Sequence, residues 1–277
     1  MRAMQNRRPV FKDEDLLLLV SVLMPGVEDR QRMVRVLRED DEILQGMIGD
    51  PRVFHRLLAD PYSVLAVSPA LFFSILLARV ASDLAKQPYT VERSQGLTMA
   101  LFDSAQVVTL LERRDLRAYL TDLLVSFVRI NSFSTSVRVR RGIWRRIRFS
   151  DFDIDHLVRY ASEIEESLRF PVYKRIADIC LFTLGVFSPA EPAPAPLPFL
   201  QAASFLKPGR TRKDYIEQGT SFYALASRHR QAHAESLTEV LSTLAEKITL
   251  AAKPLSVMSS RYLQPFKESP PTQPPPE

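Results

Sequence analysis

Cysteine is almost missing from this chain. Its 277 residues contain a single one, Cys180, so no intramolecular disulfide can form, and a chain of this length buries about three quarters of its unfolded surface without needing one. Cys180 lies in the apolar run Asp178-Ile179-Cys180-Leu181-Phe182, where a thiol packs as a small hydrophobe rather than serving as a nucleophile. This cysteine usage fits a reducing, cytoplasmic compartment.

Glycine is scarce as well, with eight positions scattered along the chain. Cradling a phosphate on backbone N–H groups needs glycine, because the chain must bend sharply and approach the anion closely. Neither G-x-G-x-x-G nor G-x-x-x-x-G-K-[ST] can be written anywhere in the sequence, which argues against nucleotide binding by those routes. The G-x-S-x-G elbow of serine hydrolases is also absent.

Long apolar runs are missing too. The longest nearly uncharged stretch, Tyr62 to Ala78, is interrupted by Pro69 and closed by Arg79. It falls short of the ~20 apolar residues that cross a bilayer and predicts a buried core helix preceded by a turn. At the N-terminus, Lys12, Asp13, Glu14 and Asp15 precede the apolar run Leu16 to Val20, and no small-residue cleavage site follows it. The segment therefore does not read as a secretory signal.

What is present is the helical period. Leu116, Tyr119, Leu120, Leu123, Leu124, Phe127 and Val128 recur at intervals of three and four, placing one apolar stripe on a helix that Asp115 can cap. Leu237, Val240, Leu241, Leu244 and Ile248 repeat the pattern, and there Ser236 and Glu239 have the spacing of a capping box. Asp50-Pro51, Asp60-Pro61 and Ser68-Pro69 read as helix starts, since proline has no N–H to lose in the first turn. Helices are predicted near 13–23, 28–38, 41–48, 51–59, 69–86, 104–113, 153–168, 171–186 and 212–232.

One segment departs from that period. Between Ser136 and Phe149, Val137 and Val139 alternate with Arg138 and Arg140, and Ile147 and Phe149 alternate with Arg146 and Arg148, on either side of Gly142. This alternation predicts a two-stranded hairpin over about 136–149. Ser188 to Pro198 alternates proline with small residues and predicts an extended connector. The expected architecture is mainly α: a multi-helix bundle over 1–187 carrying one inserted basic β-hairpin, a proline-rich linker over 188–207, a helical C-terminal unit over 208–263, and a disordered Pro-rich tail over 264–277.

The most distinctive chemistry is cationic. Arg138, Arg140, Arg141, Arg145, Arg146 and Arg148 follow one another with Trp144 among them and no acid between. Guanidinium groups can hold phosphates through bidentate hydrogen bonds while an indole stacks a base. The competing expectation is that these arginines pair with Asp151, Asp153 and Asp155 immediately downstream, and the net charge of +5 is modest. The run Asp151-Phe152-Asp153-Ile154-Asp155-His156 fails as a calcium loop, having His156 where the turn needs glycine and Ser162 at the closing position.

Two further groups are candidates for chemistry. His229 and His233 are four residues apart and could share a helix face toward a metal, but no nearby cysteine or third histidine completes the set, Glu235 is the only close candidate, and the two histidines continue the stripe Tyr215, Gly219, Phe222 and Ala226. Asp178 sits in an otherwise apolar helix and is a candidate general acid or base, unless Lys174 or Arg175 pairs with it. By elimination the chain reads as a non-catalytic cytoplasmic interaction or regulatory protein with a protein partner and no cofactor. Nucleic-acid binding through the hairpin is the first alternative, and an enzyme with a helical pocket around Asp178 the second.

Overall fold

The computed structural model describes residues 9–59, 67–87, 103–128, 153–187 and 210–263 in full, together with the backbone of four strands at 90–94, 97–101, 132–140 and 143–150. The proline-rich connector, the Pro-rich tail, Asp60-Pro61, Asp151 and Arg141 lie outside the described residues. The described chain is mainly α-helical and divides into two units, one formed by Asn6–Val125 with Val257–Glu277, the other by Met1–Gln5 with Ser126–Ser256.

In the first unit, α1 (Asp13–Leu23), α2 (Arg30–Glu39), α3 (Asp41–Gly49), α4 (Pro51–Ala59), α5 (Pro69–Ala85), α6 (Ser104–Glu112) and α7 (Arg114–Ser126) follow one another. Several start where a short polar side chain can take an orphan N–H. Asp29 accepts from Arg32 N at 2.9 Å, Asp40 from Glu42 N at 2.9 Å and Ile43 N at 3.0 Å, and Ser68 Oγ from Leu71 N at 3.2 Å. Helix α5 packs against α3, α4 and α6, and Leu71, Ile75, Leu76, Leu77 and Val80 on it are buried. The α7 stripe, Leu116, Tyr119, Leu120, Leu123 and Leu124, is buried as well. Asp115 lies inside the first turn of that helix, where it accepts from Leu116 N at 2.9 Å. Asp15 is buried but satisfied by backbone, accepting from Lys12 N at 2.9 Å and from Ser68 N at 2.8 Å, which ties the start of α5 to α1.

The second unit holds α8 (Ile154–Glu163), a 3₁₀ turn at Glu166–Leu168, α9 (Phe170–Val186), α10 (Arg212–Arg228), α11 (Arg230–Ala234), α12 (Thr238–Glu246) and most of α13 (Ile248–Met258), which continues into a π-helical turn at Ser259–Leu263. Residues Ile176 to Val186 of α9 are buried without interruption. Helix α9 packs against α10, and α10 against α12. Gly219 makes the first contact possible, because a Cβ there would stand 2.9 Å from Cys180 Cβ and 2.3 Å from Ile248 Cδ1.

Two antiparallel ribbons complete the described backbone. Strands β1 (Thr90–Ser94) and β2 (Leu97–Leu101) pair with Val91 opposite Ala100 and Arg93 opposite Thr98; the sequence pattern had not indicated this ribbon. Strands β3 (Ser132–Arg140) and β4 (Ile143–Ser150) pair between α7 and α8, with a register shift between Arg138 and Arg140.

Helices α9 and α10, on either side of the proline-rich segment, pack against each other within one unit. Two local expectations are corrected. The helix expected over 212–232 stops at Arg228, and a new one starts at Arg230. Ser236 is not the N-cap of α12, whose N-cap is Leu237 without a side-chain cap bond. Instead Ser236 closes α11: its φ is 56°, its N–H donates to His233 O at 3.1 Å, and Leu237 N donates to Ala232 O at 2.8 Å. That bond pattern places a left-handed residue at the helix exit, where glycine is preferred. Ser236→Gly is therefore expected to raise stability by roughly 0.5 to 1 kcal/mol and Ser236→Val to lower it, read from urea unfolding followed by far-UV circular dichroism.

Candidate functional site

The described residues that precede and follow the arginine ribbon are packed and partnered. Phe127 is fully buried and stacks on Phe182 with ring centroids 4.2 Å apart. The Arg175 guanidinium lies 4.0 Å from the centroid of the Phe127 ring, and its Nη1 donates to Ser126 Oγ at 2.9 Å. At the other end Asp153 caps α8, accepting from Asp155 N at 3.1 Å and His156 N at 3.3 Å. Asp155 forms an ion pair with Arg210, which also donates to Gln218. Sequence inspection had not singled out Arg210 or the Arg175 stacking, since nothing in residue spacing joins groups so far apart along the chain.

Between these ends the register sets Ser132 opposite Ser150, Ser134 opposite Arg148, Ser136 opposite Arg146 and Arg138 opposite Trp144. Alternating with them are Phe133 opposite Phe149, Thr135 opposite Ile147 and Val137 opposite Arg145. Beyond the register shift Arg140 stands opposite Ile143. Helix α8 approaches strand β4.

Asp178, the candidate acid or base, is held in a closed arrangement. It is 2% exposed, Lys174 Nζ donates to its Oδ2 at 2.6 Å, and the fully buried Tyr223 hydroxyl donates to its Oδ1 at 2.8 Å. Lys174 is thus the partner that spacing had offered, while Arg175 turns to Phe127. Two residues on, burial pushes the Cys180 thiol up to about 12, so it stays protonated near neutrality and is unsuited to nucleophilic attack.

The two histidines do not share one helix. His229 occupies the junction of α10 and α11: its Nδ1 accepts from Gln231 N at 3.2 Å, its Nε2 lies 2.9 Å from Glu166 O, and its ring packs on Phe170. His233 is exposed within α11. With Nδ1 an acceptor, Nε2 carries the hydrogen, so this imidazole acts as a helix cap. Among the described residues no group of three or more His, Cys, Asp or Glu side chains could hold a metal ion, and no helix is long and apolar enough to cross a membrane.

In the first unit the polar clusters are also internally paired. Arg114 Nη1 lies 3.2 Å from Asp41 Oδ2, and Arg117 Nη2 donates to Gln45 Oε1 at 2.9 Å. Burial holds the Arg117 guanidinium below its usual value, with the Arg114 charge acting in the same direction and Asp41 opposing. The turn after α13 is clasped by Tyr262, whose hydroxyl donates to Asp83, and by Arg261 Nη2, which donates to Gln87 Oε1 at 2.8 Å. Burial, then the Asp83 hydrogen bond, pushes the Tyr262 phenol up to about 12. An acid whose value is raised on folding contributes stability that is complete below its unfolded value near 10 and is lost as pH rises toward 12. Alkaline titration followed by circular dichroism is expected to show that loss, and Tyr262→Phe to remove it.

No protein-family model matches the chain, and neither a curated protein nor a solved structure matches it.

Proposed function

We propose that this chain is a non-catalytic cytoplasmic binding protein whose helical units serve as scaffold and whose arginine ribbon engages an anionic macromolecule. The observation that carries the reading is the run of six arginines from Arg138 to Arg148 without an intervening acid, placed on paired strands between two anchored helix ends. Support comes also from the interiors. Asp178 spends its carboxylate on Lys174 and Tyr223, and Cys180 is buried and protonated, which is the chemistry of a packed scaffold rather than of a reacting centre.

Retention on immobilised heparin, a generic polyanion, tests this. The wild-type chain is expected to elute only at elevated salt, and the variant with Arg138, Arg140, Arg141, Arg145, Arg146 and Arg148 all replaced by serine to elute early, because each cation lost from the contact reduces counterion release. Equal elution of the two proteins would remove the ribbon from the function.

A further inference from the structure

We infer that the anionic partner is single-stranded nucleic acid, gripped by one face of the ribbon only; this rests on the anionic-partner reading above and adds the partner's class. Directly opposed residues of an antiparallel pair share a face, and alternate positions along a strand share it too. The register therefore collects Ser132, Ser134, Ser136, Arg138, Trp144, Arg146, Arg148 and Ser150 on one face. Phe133, Thr135, Val137, Ile147 and Phe149 fall on the other, with Arg145 among them and Arg140 joined to them across the register shift.

The first face is made of hydroxyls, guanidinium groups and one indole, without a carboxylate or an aliphatic residue. Every polar group on it can donate a hydrogen bond and three are cations, so it complements a string of phosphate oxygens. Alternate strand positions are about 7 Å apart, and the face runs for about 20 Å, a length suited to a few nucleotides in extended form. An acidic protein surface could satisfy the arginines, but it offers nothing specific to the indole. Trp144 stands level with Arg138 at the far end of the row, where an unpaired base can stack on an aromatic ring, as bases locked inside a duplex cannot. The opposite face, apolar toward the ribbon's base, is the one suited to protein packing, which explains why arginine is confined to its outer end.

Trp144 is the chain's single tryptophan, so its fluorescence reports on this face alone. The full-length protein is titrated with a single-stranded oligonucleotide of about 16 nucleotides, the matching duplex, a poly-glutamate peptide and vesicles containing phosphatidylserine. Expected are quenching and tightest binding with the single strand, and a log–log salt slope reduced by about 2 to 3 when Arg138, Arg146 and Arg148 become serine. Arg140→Ser with Arg145→Ser should change affinity less than threefold. Trp144→Ala should weaken binding roughly tenfold and Trp144→Phe much less, read by fluorescence anisotropy of labelled oligonucleotide. Circular dichroism checks that each variant is folded, and the wild-type salt slope and the choice among the four probes stand independently of any variant. Duplex bound as well as single strand, poly-glutamate or vesicles bound equally well, or equal losses from the two arginine sets would each overturn the inference while leaving heparin retention intact. Loss of heparin retention by the wild type is instead the failure of the broader reading.

Discussion

Gly185→Ala is expected to destabilise the second unit by about 2 to 3 kcal/mol, although alanine is the better helix former by about 1 kcal/mol. Gly185 lies near the end of α9, where α13 crosses so closely that an added Cβ would meet Leu255 Cβ at 2.5 Å and Ala252 O at 2.9 Å. Real Cβ atoms do not approach so closely, and neither obstacle is the flexible end of a side chain, so a helix must move. Truncating Leu255 to alanine cannot relieve the clash, since its Cβ remains. Gly219→Ala meets Ile248 Cδ1, which can swing aside, and Cys180 Cβ, which cannot; its expected cost is smaller, about 1 to 2 kcal/mol. Urea unfolding of the three proteins checks the order. An unchanged or raised midpoint for Gly185→Ala would mean that α9 and α13 are not packed this closely.

The second large effect concerns Asp178. Asp178→Ala is expected to cost about 3 kcal/mol, because it removes the carboxylate that accepts from both Lys174 and the fully buried Tyr223. The Lys174 side chain is 25% exposed, so its ammonium can recover some hydration, and most of the cost falls on the phenol. Asp178→Asn keeps an acceptor for the hydroxyl and should lose only about 1 kcal/mol. Tyr223→Phe, harmful alone, should add little in the Asp178→Ala background, as expected for two groups that act as one pair. Additive losses would show that the two side chains do not depend on each other.

Much of the helical skeleton was legible because its signals are local. Pro51 and Pro69 follow Asp50 and Ser68 and start α4 and α5, and Asp153 caps α8 three residues beyond the ribbon. The stripes on α7 and α12 are buried where the three- and four-residue spacing placed them. Competing uses of one residue were not legible. Ser236 and Glu239 carry the spacing of a capping box, yet the chain leaving α11 needs a left-handed residue at that point, and the exit of one helix outweighs the entry of the next. Likewise the even spacing of His229 and His233 concealed a break, because His229 serves as the cap that starts α11. The pairing of Asp178 with Tyr223, and of Asp155 with Arg210, joins residues far apart in the chain; only the packing of α9 on α10 and the return of the chain at residue 210 bring them together. On the ribbon, sequence alternation indicated two faces, but the register was needed to separate Arg146 and Arg148 from Arg140 and Arg145.

On the proposed function the ribbon's arginines contribute nothing to the scaffold, and the thermal midpoint of the six-arginine-to-serine protein tests this most directly. The account predicts a midpoint within about 2 °C of wild type, as for exposed charges whose removal costs little. A fall of about 8 °C or more would show the guanidinium groups bound to acids within the fold and would contradict it.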